Sequence, residues 1–203
     1  MGTSLNLRIW GLIILGLLTL PPKLAAQQVG FGLYGHNGIT LTPLIPDELD
    51  FGNVLKNQGS VAILLSDHRV VPIAIEGIAY LDVIVSITAP NGGFITLGGA
   101  PTEDANSKIP ITVKMAYYNQ GGQVDPEVAR IDAVEVVGGT ITFQIARRPG
   151  GPPGPPPVPP HGNYQPPMAT AYIFIYGDIT VGEVNAGTYT GEIIVDVAYA
   201  TYE

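Results

Sequence analysis

The chain has 203 residues and a formal net charge of −8, and it contains no cysteine. The lack of thiols excludes disulfides, thiolate metal sites and a cysteine nucleophile, and an acidic surface repels nucleic acid, which is therefore not an expected partner. Charged residues make up only 13% of the chain, against 26 glycines and 19 prolines, a composition that favours strands joined by turns over helices.

The first 26 residues have the pattern of a secretory signal peptide. Arg8 precedes an apolar run over residues 9–20, and small residues end at Ala26, where a signal peptidase would cut. The run is too short for a stable membrane span, and no later apolar run approaches that length. We therefore expect a secreted mature chain that begins at Gln27 and has no membrane span.

Residues 27–38 form a glycine-rich N-terminal extension. Val29, Phe31 and Leu33 alternate in it with glycines, which is the period-two pattern of a strand. The extension has no obvious partner strand in its own chain. A β-sandwich domain is expected to follow it, over residues 39–203.

The rest of the chain is predicted to consist of short strands. The first covers residues 39–45, where Pro43 indicates an edge position because proline has no amide donor. β-Branched and aromatic runs between turn-forming residues predict further strands at residues 60–65, 70–75, 81–88, 94–97, 109–117, 131–136, 140–146, 171–176 and 179–181. Gly138 and Gly139 predict a hairpin turn between two of them, and no window of eleven residues has a helical period. The pattern indicates an all-β sandwich.

A proline-rich insertion, residues 147–168, interrupts this pattern. Ten of the 19 prolines fall in it, so it can neither pair in a sheet nor form a helix. Its flanks, residues 141–146 and 171–176, are predicted to pair antiparallel, which makes the insertion a long hairpin tip. It is either a tolerated surface loop or a recognition arm for a surface partner.

The last stretch, residues 189–199, predicts a long half-buried strand. Its apolar side chains alternate onto one face, which carries Tyr189, Ile193, Val195, Val197 and Tyr199. The partner of its far edge has to come from elsewhere, because this strand is the last one predicted. Ile193, Val195, Val197 and Tyr199 are therefore candidates for the wall of a groove that accepts a further strand.

No residue set in the sequence points to catalysis, a cofactor or a metal. His36, His68 and His161 lie far apart in turns, without a partner at metal-ligand spacing. The acidic clusters at residues 47–50 and 103–104 lack the spacing of a calcium loop, and no serine lies in a nucleophile elbow. We predict that the protein is not an enzyme.

Three short motifs carry a resemblance to a known family. They are a Thr-Pro-Leu run at residues 42–44, a Leu-Asp-Phe-Gly turn at residues 49–52 and an Ala-Gly-Thr-Tyr-Thr-Gly segment at residues 186–191. Over about residues 39–202 the chain resembles the DUF4402 family of secreted bacterial β-sandwich proteins, which are similar to spore-coat-U-like and other chaperone–usher pilins.

The resemblance implies an incomplete immunoglobulin-like antiparallel β-sandwich that is completed by donor-strand exchange. The missing strand is then supplied by the N-terminal extension of a neighbouring subunit, with Val29, Phe31 and Leu33 as donor residues. An alternative register of the donor uses Ile39, Leu41 and Ile45, with residues 29–33 as a linker. The competing interpretation is that residues 29–33 form the domain's own first strand, which would give a self-complete monomer.

The resemblance also implies contacts with an assembly chaperone. In chaperone–usher pilins a penultimate aromatic residue and an upstream glycine make this contact, and Tyr202 and Gly191 are the matching positions. Gly191 lies one residue nearer the end than in the usual pattern, and the disulfide of many pilins is absent.

These observations favour a structural subunit of a bacterial surface fibre, a pilus or fimbria built from identical neighbouring subunits. The resemblance implies a periplasmic chaperone and an outer-membrane usher as further partners, with secretion through the periplasm to the cell surface. The alternative is a monomeric cell-surface module for adhesion or glycan binding, with the proline-rich arm and Tyr164 as contacts.

Overall fold

The structure, a computed structural model, describes residues 38–121, 124–147 and 167–200, which all belong to the compact unit His36–Glu203. The proposed donor residues Val29, Phe31 and Leu33 lie outside the described residues. Tyr202 and residues 148–166 of the proline-rich insertion, with Tyr164, lie outside them as well.

The described residues contain eleven strands, one α-helix and two 3-10 turns. The strands are β1 (Thr40–Pro43), β2 (Gly59–Ile63), β3 (Val71–Ile78), β4 (Asp82–Thr88), β5 (Phe94–Leu97), β6 (Lys108–Tyr118), β7 (Val134–Val136), β8 (Thr140–Gln144), β9 (Met168–Val181), β10 (Tyr189–Thr190) and β11 (Ile194–Tyr199). The helix is α1 (Pro126–Ile131), and the 3-10 turns are Pro90–Gly92 and Ala105–Ser107. The strand content confirms the predicted all-β class.

The strands form two antiparallel sheets. The larger has the order β1-β3-β9-β6-β5-β10, with β2 paired to β9 and β7 paired to β6. The smaller has the order β11-β4-β8. One apolar cluster contains inward-facing residues of both sheets, such as Ile75 of β3, Val85 of β4 and Ile173 of β9. The two sheets therefore pack face to face as a β-sandwich.

Strand β9 is the centre of the larger sheet, and both of its faces are covered. Residues 171–177 are all buried, and alternate residues belong to two different apolar clusters. Ile173 and Ile175 face the small sheet, whereas Tyr172 and Phe174 face a second cluster that includes Ala129 of α1. This double burial explains why the sequence of β9 is continuously apolar rather than alternating. One strand of 14 residues replaces the two strands predicted at residues 171–176 and 179–181, because the residues between them also pair with β2 and β6.

The prediction of one long strand over residues 189–199 is wrong. β10 pairs with β5 in the large sheet, and β11 pairs with β4 in the small sheet, so the chain crosses between the sheets at residues 191–193. Gly191 lies at this crossing, where a Cβ atom would come within 2.6 Å of the Cβ of Pro90. The side chain of any other residue would therefore collide with the 3-10 turn that contains Pro90.

Two predicted hairpins are also wrong. β8 pairs with β4 in the small sheet, while β9 pairs with β2, β3 and β6 in the large sheet, so the flanks of the proline-rich insertion do not pair with each other. Similarly, the turn at Gly138 and Gly139 connects β7 of the large sheet to β8 of the small one. Both connections lead from one sheet to the other, as is usual in a sandwich.

Part of the strand predicted at residues 131–136 is the end of α1. Asp125 caps this helix, because its Oδ1 accepts a hydrogen bond from the amide of Glu127 at 2.8 Å, and Pro126 fits the first turn. With six residues the helix is too short to give a helical period over eleven residues. Within the three described ranges, no helix combines the length and the apolar character that crossing a membrane requires.

Candidate functional site

A large apolar groove opens along one side of the sandwich, with a volume of about 1020 Å³. Its floor consists of core residues of the large sheet, namely Val71, Ile73, Ile109, Ile111, Ile175 and Ile179. One wall is formed by β11 and the residue before it, through Ile193 and Val195. The other wall is formed by Leu41 and Pro43 of β1 and by residues 47–54. The groove thus gives access from outside to the interior between the two sheets.

Both strands beside the groove are edge strands. Within the described residues β1 pairs only with β3, and β11 pairs only with β4. The free edge of β11 therefore carries backbone amides and carbonyls without a strand partner among these residues. An extended segment placed in the groove would find both an apolar floor and a row of backbone hydrogen-bonding groups.

The groove is closed at the far end of β11 by Tyr199. The Tyr199 hydroxyl accepts a hydrogen bond from the amide of Ile78 in β3 at 2.9 Å, which joins the two sheets. Gly77 makes this contact possible, because a Cβ atom there would lie 2.8 Å from the Tyr199 hydroxyl and 2.4 Å from Cδ1 of Ile145. The opening is therefore confined to the part of the sandwich beside Ile193 and Val195.

Substitution of Tyr199 by phenylalanine is expected to destabilise the fold by about 1–3 kcal/mol, because the Ile78 amide, in a residue that is only 4% exposed, loses its partner. The urea-unfolding midpoint measures the effect. Tyr189→Phe is the matched control: the Tyr189 hydroxyl also bonds to backbone, the carbonyls of Asn106 and Asn185, but at an exposed site, where a change within about 0.5 kcal/mol is expected. Equal losses in the two variants would contradict a special role of the Tyr199 contact.

The mouth of the groove carries carboxylates, whereas its interior is apolar. Asp47, Glu48 and Asp50 line the mouth, and Oδ1 of Asp50 accepts a hydrogen bond from the amide of Gly52 at 2.8 Å. Tyr189 also lines the groove; its hydroxyl is uncharged at neutral pH, as for any tyrosine, and desolvation raises its pKa further from that range. This distribution favours an apolar, non-acidic occupant over an anionic one.

The structure brings together only some of the residues predicted for the acceptor groove. Ile193 and Val195 line it, whereas Val197 and Tyr199 pack against the core beyond its closed end. Gly191, predicted as a chaperone contact, lies in the lining as well. Leu41 belongs to β1 and pairs with Ile75 of its own chain, and Ile39 packs against the core next to it.

The floor of the groove and the wall at residues 47–54 were not foreseen from the sequence. The floor residues come from three strands that lie far apart in the chain, so no local pattern marks them. The wall had a signal in the Leu-Asp-Phe-Gly motif, in which Gly52 has a φ of +71° and Leu49 and Phe51 pack against the core. The motif therefore holds this wall against the sandwich.

The described residues contain no group of three or more potential metal ligands. Comparisons with protein-family models and with curated proteins found no match to this sequence. Function is therefore inferred from the groove, its floor and its two edge strands.

Proposed function

We propose that the protein is a structural subunit of a bacterial surface fibre, in which the groove of one subunit receives a strand from a neighbouring copy. The observation that carries this proposal is the groove itself, an opening between two edge strands whose floor is the apolar core. The role is structural rather than catalytic. The resemblance to pilin-like proteins supports it independently of the groove.

Filling the groove with a strand is energetically favourable. The wall of the groove on this side runs from Gly191 through Ile193 to Val195, so a strand beside it would direct about three side chains inward. Burial of three large apolar side chains contributes roughly 4–9 kcal/mol before the entropy of ordering the strand is subtracted. New backbone hydrogen bonds to the edge of β11 would also remove an aggregation hazard.

The N-terminal extension is the best candidate for this strand. Val29, Phe31 and Leu33 provide three apolar side chains at alternate positions, and the glycines between them allow close backbone approach. Residues 27–38 contain no Asp or Glu, which suits the acidic mouth of the groove. The alternative register with Ile39 and Leu41 is less favourable, because β1 would first have to separate from β3.

The route to the cell surface is part of the proposal. A signal peptide cleaved after Ala26 would deliver the chain to the periplasm, where a chaperone and an usher would handle the open groove before assembly into the fimbrium. Tyr202 and Gly191 are the proposed chaperone contacts. For Gly191 the close approach to Pro90 is a sufficient structural reason for glycine, so its chaperone role depends on the resemblance alone.

Deletion of residues 27–38 tests the proposal. Electron microscopy of the secreted protein is expected to show filaments with one repeat per domain, and the deletion is expected to abolish them while leaving a soluble monomer. Deletion of residues 148–166, which include neither the proposed donor nor any of the lining residues named above, serves as the control and should leave assembly intact. Filaments formed by the protein without residues 27–38 would refute this extension as the donor.

A further inference from the structure

A second, smaller cleft lies at the opposite edge of the small sheet. It has a volume of about 390 Å³ and is bordered by the edge strand β8, the end of β6 and the start of β7. Its character differs from that of the groove, because most of the side chains around it are polar. The volume falls in the range of small-molecule binding sites, near the lower end.

The aromatic base of the cleft is the half-buried ring of Tyr117, backed by the buried ring of Phe143. The rings of Tyr117 and Phe143 are stacked, with centroids 4.6 Å apart and an angle of 15° between their planes. Phe143 is buried, and Tyr117 is half-buried. Phe143 covers one face of the Tyr117 ring and holds that ring in place, so a ligand meets the remaining exposed part of Tyr117 as a preformed apolar surface.

The rim of the cleft is fixed by backbone contacts. Nδ2 of Asn119 donates a hydrogen bond to the carbonyl of Gln144 at 2.9 Å, and the amide of Arg147 donates one to the carbonyl of Asn119 at 2.7 Å. These bonds tie the end of β6 to the end of β8 across the cleft. The side chains around the rim are therefore presented from a rigid frame.

The rim offers both donors and acceptors of hydrogen bonds. Gln120 and Thr142 are exposed neutral groups, Asp132 is an exposed acceptor and Arg147 an exposed donor, and the carboxylate of Asp82 adds a second negative charge. Two carboxylates against one guanidinium give a slight negative charge, which disfavours an anionic ligand. Many polar groups in several directions around an aromatic base match a neutral ligand that has many hydroxyl groups and an apolar face of C–H bonds.

We propose that this cleft binds one or two sugar residues of a neutral saccharide. The C–H face of a pyranose ring would lie on the aromatic base, and its hydroxyls would bond to the rim. The inference is independent of fibre assembly, because the cleft and the groove lie at opposite edges of the small sheet. We expect binding by the free subunit and by the filament.

Full-length secreted protein, labelled and applied to an array of neutral, sialylated and sulfated oligosaccharides, tests this inference. We expect binding to neutral glycans and none to the anionic series. Thr142→Lys, which places a long charged side chain at the rim, should weaken this binding at least tenfold. Thr140→Lys is the matched control, because Thr140 is exposed on the same face of β8 but outside the cleft, and its binding should equal that of the wild type.

Several results would overturn the assignment. One is the absence of binding to every neutral glycan, and another is binding restricted to sialylated or sulfated glycans. Equal loss, or equal retention, of binding by the two lysine variants would also exclude the cleft as the site. Retention of filaments by Thr142→Lys is expected, so a failure of sugar binding can be told apart from a failure of assembly.

Discussion

Substitution of Val195 by arginine is expected to abolish filament formation while leaving a folded monomer. Val195 lines the groove from β11 and is half-buried, so an incoming strand would have to cover the new cation. Burial of an unpaired charge costs several kcal/mol, a large part of what the apolar side chains of the donor would gain. In the free subunit the arginine can extend along the open groove into water, so the fold tolerates it.

Electron microscopy and size-exclusion chromatography of the secreted variant measure assembly, and thermal unfolding checks that the monomer is folded. Ala198→Arg is the matched control, since Ala198 lies on the same strand, is exposed, faces away from the groove and receives the same change in charge. Ile193→Arg repeats the test outside the strand itself, in case Val195→Arg impairs folding. Filaments of normal abundance from a folded Val195→Arg or Ile193→Arg protein would contradict the acceptor role of the groove.

The strands could be predicted from the sequence wherever local chemistry determines them. Pro43 is an example: it was expected at a sheet edge because it has no amide donor, and among the described strands β1 is indeed at one edge of the large sheet. The break between the strands predicted at residues 60–65 and 70–75 is another, because a turn that contains Asp67 separates β2 from β3. In both cases a single residue type restricts the backbone without help from distant contacts.

The division of strands between the sheets could not be predicted in this way. Tyr189 and Ile193 keep the same alternation, so the pattern continues through the point where the chain crosses from one sheet to the other. The crossing depends on Gly191 meeting Pro90, which lies a hundred residues earlier in the sequence. The pairing of β8 with β4 rather than β9 is equally non-local. Alternation of apolar and polar side chains with a period of two predicts that a segment is a strand, but it does not predict which sheet the strand joins.

The extent of the groove could not be predicted from the sequence either. Ile193 and Val195 could be proposed from alternation on the last strand, but Val197 and Tyr199 share that alternation and lie beyond the closed end. What separates the two pairs is Gly77, which lets the Tyr199 hydroxyl reach Ile78. The extent of the opening is therefore set by a contact between sheets, and the sequence of β11 alone does not contain it.

Replacement of Gly177 by alanine is expected to destabilise the protein by about 3 kcal/mol or more, the upper range for overpacking a core. A Cβ atom at this position would lie 2.0 Å from the carbonyl oxygen of Thr112, and backbone cannot turn away as a flexible side chain can. Gly177 pairs with Val113 on one side and with Ile63 on the other, so β9 is held from both directions. Relief of the clash requires separation of β6 from β9.

Urea unfolding measures this loss as a lower midpoint, while the dependence of the unfolding free energy on urea concentration stays unchanged. In thermal unfolding, each kcal/mol lost lowers the Tm of a domain of this size by about 2–4 °C. Gly182→Ala is the matched control, because Gly182 lies just after β9 and a Cβ atom there has no neighbour within 4 Å. Its stability should stay within about 0.5 kcal/mol of the wild type. Equal midpoints for the two alanine variants would mean that β6 moves away from β9 at no cost. That is hard to reconcile with a floor of the groove built from Ile111 of β6 and Ile179 of β9, since these residues pair directly across the two strands.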